Sequence, residues 1–328
     1  MLDNISPLRQ ASASIAGEEA HLFTSRAAIR TRMGHTRRRR YAIGENPPDG
    51  AALYYYLKEE PKAHIKLELL DAQGKVIRSF TSEEKKKEGG SDEWERDDAE
   101  EHIPAKAGMN EFTWDLRYES PKKIPAAIYD EGDPTGPLVL PGNYQVRLTA
   151  GAKSLTAPLE ITMDPRVKTS AEDLRKQFDL MLRMRDRQDE MNKAILAIRD
   201  LRGQLQALEK RIGPSESAKP AITAAADLRK KISAIEEEFI QVNSKASEDE
   251  LNYPTKLNSK LGYLQNAVDS ADAPPTEGEL GVYSELDLQL ESQLAKWREV
   301  LSKDVPALND TMQQNSVPLI APSAAKAN

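Results

Sequence analysis

The sequence predicts a multidomain chain of mixed α and β class, an antiparallel β-sandwich followed by an antiparallel helical bundle with coiled-coil character. Three observations carry that prediction. Between residues 47 and 164, apolar side chains recur at every second position in short runs bounded by Pro, Gly and Asp. From 165 to 312 the apolar period changes to three and four residues, broken by prolines. The length of 328 residues accommodates two ordinary domains and flanking pieces. The expected division is a basic leader or linker over 1–46, the sandwich over 47–164, the bundle over 165–312 and a flexible tail over 313–328.

The leader holds eight arginines, four of them consecutive at Arg37 to Arg40, among Ser and Gly with little alternation. An extended segment with at most one short strand is expected. An arginine run is also the pattern of a nucleic-acid arm. No aromatic platform interleaves it, however, and the whole chain carries a net charge of −7. A solvated tether is therefore the expected reading, with no nucleic-acid partner.

Pro47-Pro48-Asp49-Gly50 makes a turn, proline fixing φ and glycine accepting positive φ. The aromatic run from Ala51 to Leu57 suits a pleated, half-buried surface. Ile65, Leu67 and Leu69 alternate with Lys66 and Glu68, which gives a strand with one wet face. Asp71-Ala72-Gln73-Gly74 turns that strand into Val76 to Phe80. A later strand from Asn110 to Leu116 puts Phe112, Trp114 and Leu116 on one face. Pro141-Gly142 leads into Tyr144 to Leu148, and Leu159 to Met163 follows. Two insertions interrupt these strands. Glu83 to Glu101 carries ten acids against four bases and buries too little apolar surface to offset its ordering entropy, so a mobile loop is expected. Pro121 to Pro137 is proline-rich and predicts an ordered or semi-ordered surface loop.

Thr169 or Ser170 can cap the first long helix, with Glu172 and Asp173 placed well for the helix dipole. Its stripe includes Leu174, Phe178, Met181, Met191, Ile195, Ile198, Leu201, Leu205 and Leu208, and Gly213-Pro214 ends it. Met181, Met184 and Met191 read as gap-fillers in a bundle seam, and Arg183 to Arg187 as a solvated face with i, i+4 pairs. A second helix runs from Ile222 through Phe239 to Val242, and a third from Leu257 to Val268. Pro274-Pro275-Thr276 restarts the chain into a last helix whose stripe is Tyr283, Leu286, Leu290, Leu294, Trp297, Leu301, Leu308 and Met312. Each stripe is narrow, so no helix is stable alone, and short connections imply antiparallel neighbours.

Chemistry is sparse in this sequence. There is no cysteine, which excludes disulfides and thiolate sites, and the four histidines (His21, His35, His64 and His102) share no i, i+4 spacing that would start a zinc site. No phosphate loop, dinucleotide fingerprint or nucleophile elbow appears, so neither cofactor nor metal is expected. No apolar run approaches the roughly 20 residues of a membrane helix, and no signal-peptide pattern opens the chain. The weak catalytic alternative is a carboxylate pair for glycoside hydrolysis, Asp115 with Asp133, in a region that also holds Asp130 and Glu131. Trp114 or Tyr118 would be its sugar platform, although Trp114 reads more simply as core and Asp115 as the end of its strand.

Three segments carry a resemblance. They are Leu69 to Arg78 with its D-x-x-G-x-V-x-R hairpin, Gly108 to Asp115 with G-x-N-x-x-x-W-D, and Leu140-Pro141-Gly142-Asn143-Tyr144 with P-G-x-Y. In this order they resemble the Ig-like domain of flagellar-hook-capping type. With Asp3 to Arg9, Ala20 to Phe23, Glu45 to Ala51, Lys256-Leu257-Asn258 and Ala271 to Thr276, the chain resembles the C-terminal region of bacterial BNR-repeat proteins. These are sortilin-like or sialidase-like β-propellers often labelled glycosyl hydrolases. The propeller blades and their Asp-box are missing here, so no catalytic residue carries over. The resemblance implies a noncatalytic accessory or interaction module with a β-propeller partner, in a periplasmic or secreted setting. It also implies that this chain is a fragment or a separately encoded tail. The alternative function is a carbohydrate-active hydrolase or a carbohydrate-binding module.

Overall fold

The structure, a computed structural model, describes residues 4–32, 49–83, 102–129, 132–212, 218–315 and 319–320. Helices and sheets are both present, as the mixed class requires. Contacts divide the chain into two units, one formed by Met1–Glu119 with Gly136–Phe178 and the other by Ser120–Thr135 with Asp179–Asn328.

The first unit begins with two short helices, α1 (Ser6–Gln10) and α2 (Ala13–Gly17). Among the described residues, eight strands follow: β1 (Ala20–Leu22), β2 (Ala28–Arg30), β3 (Ala51–Leu57), β4 (Lys66–Leu70), β5 (Val76–Thr81), β6 (Gly108–Trp114), β7 (Gly142–Ala150) and β8 (Lys153–Met163). They form a three-stranded sheet, β1-β3-β6, and a five-stranded sheet, β2-β8-β7-β4-β5. Alternation decides which side is buried. Leu53, Tyr55 and Leu57 of β3 join Trp114 of β6, Leu67 and Leu69 of β4 and Val146 and Leu148 of β7 in a single core.

The turns follow their residues. Asp71 Oδ1 accepts from the amides of Gln73 (3.0 Å) and Lys75 (2.9 Å), and Gly74 takes φ +80°. Gly50 sits at φ +121°, and a Cβ there would lie 2.0 Å from the Trp114 carbonyl oxygen, so only glycine fits. The Asn of the G-x-N pattern, Asn110, is buried and closes its loop with Lys106 in both directions, accepting at 3.0 Å and donating at 2.8 Å.

The sequence-based expectation needs correction at three places here. The leader contributes two strands rather than at most one. β1 pairs antiparallel with β3, and β2 pairs with β8, so each adds a strand at the edge of a different sheet. Three-residue strands are too short to display a period. The five-stranded sheet is mixed, because the β2–β8 pair is parallel. Finally, β6 ends at Trp114, and Leu116 turns into the left-handed region at φ +60° while staying buried. Its carbonyl accepts from the Val139 amide at 2.8 Å, which helps hold a conformation that a branched side chain disfavours.

The second unit holds most of α3 (Ala171–Ile212), then α4 (Lys219–Phe239), α5 (Leu257–Val268), α6 (Glu277–Glu299) and α7 (Val305–Gln314). Ser170 starts α3, its Oγ accepting from the Asp173 amide at 3.1 Å. At about 1.5 Å per residue, the 42 residues of α3 extend about 63 Å. Thr276 caps α6 in a reciprocal box with Glu279. Cross-helix ion pairs give the directions. Glu236 of α4 pairs with Arg199 and Arg202 while Arg229 pairs with Glu209, so α4 runs antiparallel to α3. Arg187 pairs with Asp287 and Glu291, and Glu190 with Arg298, so α6 runs in the same direction as α3. Within Arg183 to Arg187, therefore, Arg187 reaches across to a neighbouring helix rather than bonding only along its own.

Three further expectations shift in this unit. Leu301 is exposed, and Val300 and Val305 are buried instead. A π-helical turn over Val300–Asp304 explains the change: Pro306 has no amide to donate, and the Val305 amide bonds five residues back to Val300. The five-residue step rotates the stripe. Val242 lies beyond the end of α4 and is exposed. In the tail, Ile320 is buried in the helical core, and Asn309 bonds both its amide (3.0 Å) and its carbonyl (2.9 Å).

Candidate functional site

The two carboxylates of the glycosidase alternative belong to different units and have separate local roles. Asp115 is exposed, and its Oδ1 accepts from the Arg117 amide at 3.0 Å in the turn after β6. Asp133 is exposed and pairs with Lys123 Nζ at 2.8 Å. Trp114 has no exposed surface and gives its indole N–H to the Arg117 carbonyl at 2.9 Å, so it serves as core rather than platform. Tyr118 packs edge-on against Phe178 with ring centres 5.1 Å apart. His21 meets Glu18 at 3.0 Å, His64 is exposed, and His102 is half-buried. Among the described residues, no group of three or more His, Cys, Asp or Glu could hold a metal ion. Arg37 to Arg40, His35, Asp130, Glu131, Gly213-Pro214 and all of the acidic insertion from 84 to 101 lie outside the described residues.

The most organised polar arrangement in the helical unit is where residues 120–135 meet α3 and α5. Sequence chemistry explains why side chains provide the bonding there. Prolines at 121 and 125 remove donors and block a regular ladder, so the remaining backbone groups need partners from elsewhere. The Lys122 amide donates to Asp189 Oδ1 at 2.8 Å, and Asn192 Nδ2 donates to the Lys122 carbonyl at 2.7 Å. Arg199 reaches the Pro125 carbonyl at 3.2 Å, and Gln265 Nε2 reaches the Thr135 carbonyl at 2.6 Å. Ile124, 2% exposed, sinks into the helical core as the apolar anchor. The segment is thus a strap clasped on α3 and α5 by side-chain hydrogen bonds.

Beneath the second half of the strap lies a recess of about 20 Å³. Its walls include Tyr129 and Thr135 of the strap, Gln188 of α3, and Asn258, Gly262 and Gln265 of α5. Burial pushes the Tyr129 hydroxyl above its ordinary pKa, against the opposing effect of the Ile124 amide that donates to it at 3.0 Å. Tyr129 therefore stays protonated at neutral pH, and the recess presents hydroxyl and amide groups suited to hydrogen bonding rather than proton transfer. Gln188 Nε2 donates to Asn192 Oδ1 at 3.2 Å, tying the recess to the clasp. The sequence reading misses the buried amides Gln188, Asn192, Asn258 and Gln265. Their signal is present as neutral amides inside apolar stripes, Gln188 between Met184 and Met191, and Gln265 between Leu261 and Val268.

A second feature is an open groove of about 570 Å³ where the end of α4, the start of α5 and the middle of α6 meet. Pro254, Leu257 and Leu288 give it apolar walls, with Leu288 73% exposed. Lys260 and Lys256 stand at its rim, Lys256 pairing with Glu238 at 3.3 Å. Among the described residues, no helix is long and apolar enough to cross a membrane. Neither family models nor curated proteins give a match to this chain.

Proposed function

We propose that this chain is a noncatalytic accessory module of a BNR-repeat β-propeller protein, with an Ig-like β-sandwich and a helical bundle of coiled-coil character. The observation that carries the interaction role is Leu288, 73% exposed in the wall of the α4–α5–α6 groove. An apolar side chain left exposed at the wall of a groove offers surface that a protein contact would remove from water. The Ig-like reading draws support from Tyr144, which stands just after Pro141-Gly142 and gives its hydroxyl to the Leu140 carbonyl at 2.8 Å. A tyrosine at a strand start that bonds back a few residues upstream is a corner device of that fold class, as is a tryptophan buried between sheets. The β-propeller partner rests on the resemblance of the segments around Asp71, Trp114 and Tyr144.

The test is co-purification of the chain with a BNR-type propeller protein under native conditions, repeated with Leu288→Asp. Retention that the substitution abolishes, with the circular dichroism of the chain unchanged, is the expected outcome. Equal retention of both forms would remove the groove from the reading, and no retention of either would remove the partner.

A further inference from the structure

The recess under the strap contains a feature that hydrogen bonding within the protein does not settle. Asn258 is 3% exposed and lines the recess, and its Nδ2 group has no hydrogen-bond partner. A buried amide donor without an acceptor is costly, and native proteins rarely keep one. Gly262, one turn further along α5, lines the same space, and no heavy atom lies within 4 Å of the position its Cβ would take. An unsatisfied donor and unfilled space therefore adjoin.

Size and chemistry select the occupant. The recess measures about 20 Å³, whereas small-molecule sites begin at roughly 300 Å³. A single water needs roughly 10–15 Å³ and two to four polar partners. An anion would meet the Asp133 carboxylate, which also lines the recess. A neutral water meets no such repulsion. It can accept from Asn258 and donate to groups with a lone pair to spare. The Thr135 carbonyl accepts one bond from Gln265 and has room for another, and Gln188 spends its Nε2 on Asn192 and keeps its Oε1.

We propose that this recess is a water-binding site in which one ordered water links Asn258 of α5 to the strap and α3. The water then completes the clasp on residues 120–135, where the Gln265 and Asn192 bonds hold the two ends.

The test uses the full chain. Nuclear Overhauser transfer from water to the Asn258 side-chain amide should show the sign of a long-lived, slowly tumbling water. The variant Asn258→Leu, which keeps the branched outline but lacks the donor, should melt about 2–4 °C lower, the shift expected for loss of one satisfied interaction in a domain of this size. The opposite sign is diagnostic. If Asn258 is an unpaired amide in a dry recess, replacing it with an apolar side chain relieves a penalty and raises the melting temperature. A rise overturns the proposal, and so does the absence of a long-lived water signal at Asn258 in the wild-type chain, whatever the variant does.

Discussion

Replacing Trp114 with alanine tests the core of the first unit directly. The indole has no exposed surface, faces Tyr144 edge-on with ring centres 6.3 Å apart, and donates to the Arg117 carbonyl at 2.9 Å. Truncating a buried tryptophan costs about 3–5 kcal/mol through lost burial and the cavity left behind. Losing the hydrogen bond adds about 0.5–1.5 kcal/mol. The sum, about 3.5–6.5 kcal/mol, approaches the whole stability of an ordinary domain, which is about 5–15 kcal/mol. Trp114→Phe separates the two contributions, since it keeps most of the apolar contact and gives up the donor. It should cost distinctly less than alanine. Urea unfolding is the assay, with far-UV circular dichroism followed across the transition. In the Trp114 variants the tryptophan fluorescence, shared by Trp94 and Trp297, the latter 5% exposed in the helical core, adds a reporter that includes the second unit. A loss below about 1 kcal/mol for Trp114→Ala would refute the assignment of this residue as the anchor. Equal losses for Phe and Ala would show that the bond, and not burial, carries the effect.

Two further outcomes follow from single contacts. Gly203 is exposed inside α3, and a methyl group added there would meet no heavy atom within 4 Å, so Gly203→Ala should raise stability by about 0.5–1 kcal/mol, read as a higher melting temperature. The Arg166 guanidinium, with help from its backbone amide, holds the Asp164 carboxyl down from 3.8 to about 2. Because the folded value lies below the unfolded one, the contribution to stability is present above about pH 4 and is lost as pH falls through about 2. Asp164→Asn should flatten the acid limb of the melting curve over that window, and an unchanged limb would exclude the pair as its source.

Most of the longer strands are legible in the sequence because they bury one face, whereas β4 buries four residues in a row from Leu67 to Leu70, including Glu68, which the sequence places on a wet face. In β3 the buried Ala51, Leu53, Tyr55 and Leu57 alternate with half-buried neighbours, as the period-two pattern predicts. The long helices are legible for the same reason at a different period, and the cap of α3 falls at Ser170, one of the two residues the sequence offers. Structure without a period is not legible in this way. β1 and β2 are three residues each, and their pairing is decided by the sheets they join. The strap sinks Ile124 into the helical core, with Ala127 partly buried against it, and takes polar partners from residues such as Asp189 and Gln265, far along the chain. Leu301 falls on the wrong side of its helix in a strict three-and-four count, because the π-helical turn before Pro306 adds a residue to one turn. The recess is hidden for a related reason. Gln188 and Asn258 read as surface residues when each is considered alone, and only the arrangement of α3, α5 and the strap buries them.

The clasped strap also imposes an order on biosynthesis. Thr135 is translated long before Gln265, the residue that bonds its carbonyl, with 130 positions between them. At roughly 5–20 residues per second, that separation is about 6–26 s of elongation. During this interval Ile124 has no finished helical core to enter, and the Thr135 carbonyl has only solvent to bind, although Asn192 and Arg199, the partners of the Lys122 and Pro125 carbonyls, are made earlier. The nascent chain therefore carries its proline-rich segment as an open end until α5 leaves the ribosome. A slow codon or a pause between α3 and α5 would lengthen that exposure, without altering a single contact in the finished molecule.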